Sequence, residues 1–315
     1  MQRGAATPQL LPVQQHTLLR AVQAVGIGLH SAREAQLTLL PAPENTGIVF
    51  RRSDLDPAVE IPATIGSVSD STRATTLSQG ASSGKQSLST VEHLLAALSG
   101  MAIDNAIVQL DGPEVPIMDG SAEPFVQLIE SAGRQPQSVA RRFLRIQREV
   151  GVSAGDKTAH FYPHDGFRVT FTVDFEQPVF ETLGVHSVFD YTPARFAALS
   201  RARTFGFVHE LEAMQQQGLV RGGSLDNAVL LDEHRVLNEE GLRGRDELVE
   251  HKIIDAIGDL ALAGFPLIGE YRAYKAGHSL NHAALRALLD APEAWELVTF
   301  DAENPPPGGY RSTVS

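Results

Sequence analysis

Residues 251–264 read HKIIDAIGDLALAG. On a helix, positions i, i+4 and i+8 share one face, so His251, Asp255 and Asp259 project together. A polar stripe of this kind is most often a solvated surface with an ion pair one turn apart. Here the remaining positions, Ile253, Ile254, Ile257, Leu260 and Leu262, leave little of the helix for solvent. The three polar residues are therefore expected in a buried or cleft environment, where clustered carboxylates need compensation. An imidazole and a carboxylate one turn apart can chelate one cation, but a catalytic zinc takes three protein ligands and a water. The third ligand has to come from elsewhere, and His93 in TVEHLLAALSG (90–100) is the candidate.

Moving outward, the same order of elements occurs twice. Short β-like segments (HTLLRAVQAVGIGLHS, AQLTLLPA, GIVFRRSD) precede the run that contains His93; AIVQLDG, the loop PEVPIMDGSAEP and the helical FVQLIESAG follow it. A second series (FLRIQREVGV, TAHFYP, FRVTFTVDF) precedes the helix led by His251, and strand-like PLIGEYRAYKAG and helical NHAALRALLDA come after. The spans from His93 to Gly120 and from His251 to Gly277 are nearly equal, as a repeat at a fixed offset requires. The pattern predicts an α+β fold of two similar domains from an internal duplication, residues 16–137 and 138–303, with RQPQSVARR as linker and residues 1–15 and 304–315 flexible. Two equivalent helices packed face to face would bring His93 and His251 to one interdomain cleft.

Bulk properties narrow the chemistry. The 315 residues suffice for two domains. A formal charge of −12 and a pI near 5.4 disfavour nucleic acid and anionic bilayers as partners. No run reaches the ~20 apolar residues of a membrane span, and MQRGAATPQLLPVQQ lacks the apolar stretch of a secretory signal, so a cytoplasmic protein without membrane insertion is expected. With no cysteine, any metal must be held by His, Asp and Glu.

Three further signals carry two readings each. Ser89-Thr90-Val91-Glu92-His93 is a capping box with Ser89 as N-cap and Glu92 folding back, or else it sets a general base, Glu92, beside a ligand, His93. His278, in the Gly-containing segment Lys275-Ala-Gly-His278, is a surface histidine, or, if the halves superpose, a general acid near the metal. Phe207, Leu211 and Met214 recur at helical spacing and form either plain core or the wall of an apolar passage. Two rival sites fail on spacing: His209-Glu210 is followed by Ala213 where a metalloprotease motif needs histidine, and Glu233-His234 has no visible partner, which leaves it as surface.

Taken together, STVEHL, APENTGIVFRR, PEVPIMDGSAEPF, SRARTFGF, RVLNEEGLR, HKIIDAIGD and YKAGHSLN resemble the UDP-3-O-acyl-N-acetylglucosamine deacetylases of lipid A synthesis, in order, from about residue 16 to 301. The resemblance implies two similar α+β domains with the site between them. It implies His93, His251 and Asp255 as ligands of Zn2+, with Fe2+ able to take the same place, and Glu92 as the base for the attacking water. His278, oriented by Asp259, would donate a proton to the leaving amine, and Thr204 would help stabilise the oxyanion. Lys252, Phe205, Phe207, Leu211 and Gly223 fall at substrate-contacting and acyl-passage positions, and Lys157, Phe175 and Lys275 where family members hold the uridine diphosphate. The implied partner is a small amphiphilic UDP-sugar, bound by a monomer. Glu176-Gln177-Pro178 departs from the family, many members having a histidine before the proline, and FETLGVHSV is shorter than the usual insertion. Two alternatives remain at this point: a non-catalytic nucleotide-sugar binding protein, and a ferrous 2-His-1-carboxylate oxygenase with the same ligand set.

Overall fold

The computed structural model describes residues 13–80, 86–216 and 218–311. Its helices are α1 (Glu92–Gly100), α2 (Glu123–Ala132), α3 (Pro193–Leu199), α4 (Val208–Gln216), α5 (Glu247–Leu260), α6 (His278–Leu289) and α7 (Gly308–Arg311), set among several β-sheets in an α+β arrangement.

The first large sheet has the spatial order Val22–Ile27, Glu34–Pro41, Ala106–Leu110, Ile48–Arg52, Val59–Pro62. Only the pair Ala106–Leu110 with Ile48–Arg52 runs parallel. The register sets Leu39, Val108, Phe50 and Ile61 in one row across four strands, and all four are fully buried. A two-residue side-chain period with one face on the core produces this row.

The second large sheet repeats the scheme. Val150–Ala154, Lys157–Tyr162, Leu267–Tyr274, Phe167–Thr172 and His186–Asp190 lie in that order, again with one parallel pair, Leu267–Tyr274 with Phe167–Thr172. Phe161, Tyr271, Val169 and Phe189 form the matching buried row. Two further strands, Phe143–Ile146 and Trp295–Val298, extend this sheet. The two sheets thus share one order and one sense of pairing.

Helix α2 packs on Val22–Ile27 of the first sheet, α5 and α6 pack on strands of the second, and α1 packs directly on α5. Both are buried along nearly their whole length, which explains why apolar residues surround the polar stripe of α5. Leu94, Leu95 and Leu98 of α1 and Ile253, Ile254 and Ile257 of α5 are all buried, each such burial contributing about 1.5–3 kcal/mol. The contact is close because of Gly258: a Cβ there would lie 2.0 Å from the carbonyl oxygen of Glu92. No helix among the described residues is long and apolar enough to cross a membrane.

Four local expectations are corrected. The segment 134–142 is no linker: Arg134–Ala140 is a strand paired antiparallel with Gln14–Leu18, and Pro136 is tolerated because this two-stranded sheet is all edge. Residues 13–15 and 304–311 are not loose ends. Val13 and Gln15 are buried, and Tyr310 is packed under the second sheet with its hydroxyl donating to the Leu267 carbonyl; residues 1–12 and 312–315 lie outside the described part. Helix α5 starts a turn before His251, at Glu247, and α6 starts at His278 itself rather than at Asn281. Phe207 belongs to the strand Phe205–Phe207, so only Leu211 and Met214 of the proposed stripe are helical.

Candidate active site

Glu92 and His93 open α1, whereas His251, Asp255 and Asp259 lie on consecutive turns of α5. Because the two helices touch at Gly258, both polar groups face a shared cleft. Oδ1 of Asp255 lies 3.4 Å from Nε2 of His93 and 3.4 Å from Nε2 of His251. The three ligand atoms are within 4.8 Å of one another. Bonds of about 2.0–2.2 Å at the tetrahedral angle place two donors roughly 3.4 Å apart, which both Asp255–histidine separations match. The imidazole rings stand edge to face, 4.8 Å between centroids.

The surrounding groups favour the metal-binding protonation states. His251 donates from Nδ1 to the carbonyl of Ala202 at 3.0 Å, which leaves Nε2 for the cation. Burial lowers the pKa of His251 to about 3, outweighing the attraction of Asp255, so the ring is neutral. Burial acts to raise Asp255, but the Lys252 ammonium, 2.6 Å from Oδ2, leads the attractions that hold it well below the usual carboxylate range. Farther out, the buried Arg203 grips Glu247 of α5 at 2.8 Å, next to Ala202.

Beside this trio stand a carboxylate, Glu92, and an imidazole, His278. Glu92 does not cap its helix: the N-cap position is Val91, and the Ser89 hydroxyl goes to the Pro113 carbonyl. Its Oε2 accepts the backbone N–H of Thr75 at 3.1 Å, and burial pushes its pKa up. His278 places Nδ1 2.8 Å from Oδ2 of Asp259. Burial acts to lower His278, yet Asp259 and Glu92 prevail and raise it to about 9. Asp259, despite burial, is held far below the carboxylate range by His278 and His282.

These groups line one cavity of about 820 Å³. Glu92, His93, His251, Lys252, Asp255 and His278 form its floor, with Asp259 set behind His278. Thr204, Phe205, Phe207, Leu211 and Gly223 lie along its walls, as do Lys157, Phe175 and Lys275. Phe175 packs against Phe180, Phe205 and Phe207 with tilted or edge-to-face rings, so the aromatic residues form one cluster. Lys275 is already paired, with Asp156 at 2.7 Å and Asp174 at 2.9 Å, and both contacts raise its pKa. His234 and Glu233 are exposed, in keeping with a surface role.

The sequence reading missed Thr75, Asn281 and His282, all fully buried around Asp259. A signal existed for one of them: once α6 starts at 278, His278 and His282 stand one turn apart on one face.

The family model of UDP-3-O-acyl N-acetylglycosamine deacetylase matches residues 15–290. The chain belongs to this family. UDP-3-O-acyl-N-acetylglucosamine deacetylases of Teredinibacter turnerae and Saccharophagus degradans are 53% and 52% identical to it over 299 residues, 95% of this chain and 97% of each relative. That of Pasteurella multocida is 49% identical over 301 residues, covering 95% of the chain and 98% of the relative. As a member of the deacetylase family, the chain is an enzyme of the hydrolase class, and the cleft is its candidate active site.

Proposed function

We propose that this deacetylase hydrolyses the N-acetyl amide of UDP-3-O-acyl-N-acetylglucosamine, giving acetate and the free 2-amine, in lipid A biosynthesis. The observation that carries the site assignment is the convergence of His93, His251 and Asp255 with a base, Glu92, and a protonated imidazole, His278, in one cavity. Zinc is the cation proposed for the trio, with ferrous iron able to occupy the same ligands. When bound, it would acidify a water molecule and polarise the amide carbonyl.

The chain's own groups supply the rest. Glu92 takes a proton from the water whose oxygen attacks the carbonyl carbon. Thr204 donates to the oxyanion, and His278 delivers a proton to the nitrogen as the C–N bond breaks, since an amide anion is too poor a leaving group. One proton is gained and one lost by the pair Glu92 and His278. Asp259 keeps the imidazole oriented and charged, and Lys252 steadies Asp255 and contacts the sugar. Phe205, Phe207, Leu211 and Gly223 would house the acyl chain, whereas Lys157, Phe175 and Lys275 would face the uridine diphosphate. Residues 16–137 and 138–303 are read as two domains derived from one duplicated unit, a reading supported by their shared strand order. A monomer acting in the cytoplasm completes the proposal.

The test pairs acetate release with metal content for wild type, Glu92→Gln and His93→Ala. Both variants should lose activity, and only His93→Ala should lose the metal. Activity retained by Glu92→Gln removes the base; metal retained by His93→Ala removes the ligand.

A further inference from the structure

Each oxygen of the buried Asp259 carboxylate has two partners. Oδ1 accepts from the Thr75 hydroxyl at 2.5 Å and faces Nε2 of His282 at 3.1 Å. Oδ2 accepts from the Asn281 amide at 2.8 Å and faces Nδ1 of His278 at 2.8 Å. A carboxylate offers about four acceptor sites, so all are used. The partners are anchored in turn: the Tyr271 hydroxyl donates to Oδ1 of Asn281 at 2.7 Å, and Oγ of Ser71 lies 2.7 Å from Nδ1 of His282. The Ser279 hydroxyl donates to the Ser71 carbonyl at 3.1 Å and ties this loop of the first half to α6. Thr75 reaches the base as well, through its backbone N–H on Glu92.

We propose that Thr75 and His282 are positioning residues for the acid–base pair: they lock Asp259 so that a single oxygen faces His278, and Thr75 fixes Glu92 against that same frame. This deepens the deacetylase reading and rests on it. The carboxylate torsion of an aspartate is broad and roughly two-fold, so a carboxylate with one oxygen unbound swings. Donors on Oδ1 remove that freedom, and hydrogen bonds to an ionised acceptor are about twice as strong as neutral ones. Neither Thr75 nor His282 lines the cavity, so both act through Asp259 and Glu92, and the Thr75 hydroxyl also through His278, whose Nδ1 lies 3.4 Å away, rather than on the substrate. The loop that precedes Thr75 belongs to the first half and the acid to the second, so closing this network also sets the two halves in register at the reacting end of the cleft.

The experiment uses the metal-loaded, full-length enzyme and steady-state deacetylation across pH. Thr75→Val keeps the shape and the backbone N–H but removes the hydroxyl. His282→Leu removes the donor, and His282→Gln returns an amide N–H at about the reach of Nε2. Thr75→Val and His282→Leu should each lower kcat about tenfold, the scale of one lost hydrogen bond to a charged group, with KM within about twofold and metal content unchanged. Both should move the alkaline limb to lower pH, and His282→Gln should recover most of kcat and the limb. Asp255 and Asp259 on α5 and Glu92 on α1, the charged groups facing His278, are intact in all three variants. On α6 the titratable ring of His282, 6.4 Å from that of His278, is present only in Thr75→Val, so that variant reads the geometry alone. Wild-type kcat and limb in Thr75→Val and His282→Leu, with Glu92→Gln still inactive, overturn the proposal alone. An active Glu92→Gln overturns the underlying reading instead. Should His282→Leu fail to fold, Thr75→Val and Ser71→Ala decide: a loss in the first and a smaller one, roughly threefold, in the second uphold the lock, and wild-type behaviour in both refutes it.

Discussion

Oε1 of Glu92 lies 3.7 Å from Nε2 of His278, so a carboxylate from the first half of the chain faces an imidazole from the second across the cleft. In the proposed mechanism their protonation sets the pH dependence. The proton donor must be charged, and Asp259 and Glu92 outweigh burial to hold His278 at a pKa of about 9. Activity is therefore present below that value and lost as pH rises through it. The acceptor must be ionised, and burial raises Glu92 above its ordinary 4.5, so the acid limb should lie above 4.5. Profiles of kcat/KM for wild type and His278→Gln check this. The variant should lose the alkaline limb and fall by about 10²–10⁴-fold, the range for general acid–base catalysis. A limb near 9 that survives in His278→Gln would assign it to another group.

Metal removal should reach stability as well as activity. His93 and Asp255 come from helices in different halves, so a cation bridging them is linked to the packing of α1 on α5. A ligand that binds only the folded state stabilises by about 4 kcal/mol at a thousand times its Kd. Dialysis against a chelator should therefore lower the melting temperature by several degrees, and added zinc should restore it. In His93→Ala the melting temperature should be indifferent to zinc. A zinc-dependent rise of wild-type size in that variant would place the bound ion elsewhere.

The local parts of this site were legible because they follow helical periodicity. His251, Asp255 and Asp259 share a face whatever surrounds them, and the apolar remainder of α5 announced its burial. The meeting of His93 with His251 was legible only through the repeated order of elements and the family resemblance, since no local pattern joins positions that far apart. Thr75 and His282 escaped because their roles depend on a loop of one half docking on a helix of the other, and ATTLS carries no sign of that contact. The strand Arg134–Ala140 escaped because Pro136 and polar residues disguise an edge strand as a linker. The start of α5 was hidden by the charged run before His251, where Glu247 is buried against Arg203.

Gly258 should be among the least replaceable residues outside the chemistry. Its absent side chain lets α5 approach the backbone of Glu92, and backbone cannot step aside as a flexible side chain does. Gly258→Ala forces α1 and α5 apart, at a cost in the upper part of the ~1–3 kcal/mol range for overpacking, or beyond it. Because the displaced carbonyl belongs to the proposed base and adjoins His93, metal affinity and kcat should fall together with the melting temperature. Thermal denaturation and metal titration of Gly258→Ala provide the check. Stability and metal binding both at wild-type level would show that the helices can separate without penalty.

The apolar wall makes a prediction about chain length. Phe207, Leu211 and Met214 line the cavity together, Met214 well buried and carried on α4. If this wall houses the acyl group, Met214→Trp should fill the space that the distal methylenes occupy. Each methylene denied burial forfeits about 0.8 kcal/mol, so blocking three costs roughly 2.4 kcal/mol, or about sixtyfold in kcat/KM for a long-chain substrate. A substrate shortened by the same three methylenes should be turned over nearly as well by the variant as by wild type, because the blocked space is no longer needed. Comparing kcat/KM for the two chain lengths in both proteins separates this steric effect from general damage. An equal loss on long and short chains would mean that Met214 supports the fold rather than the passage, and the acyl group would then have to lie along another wall.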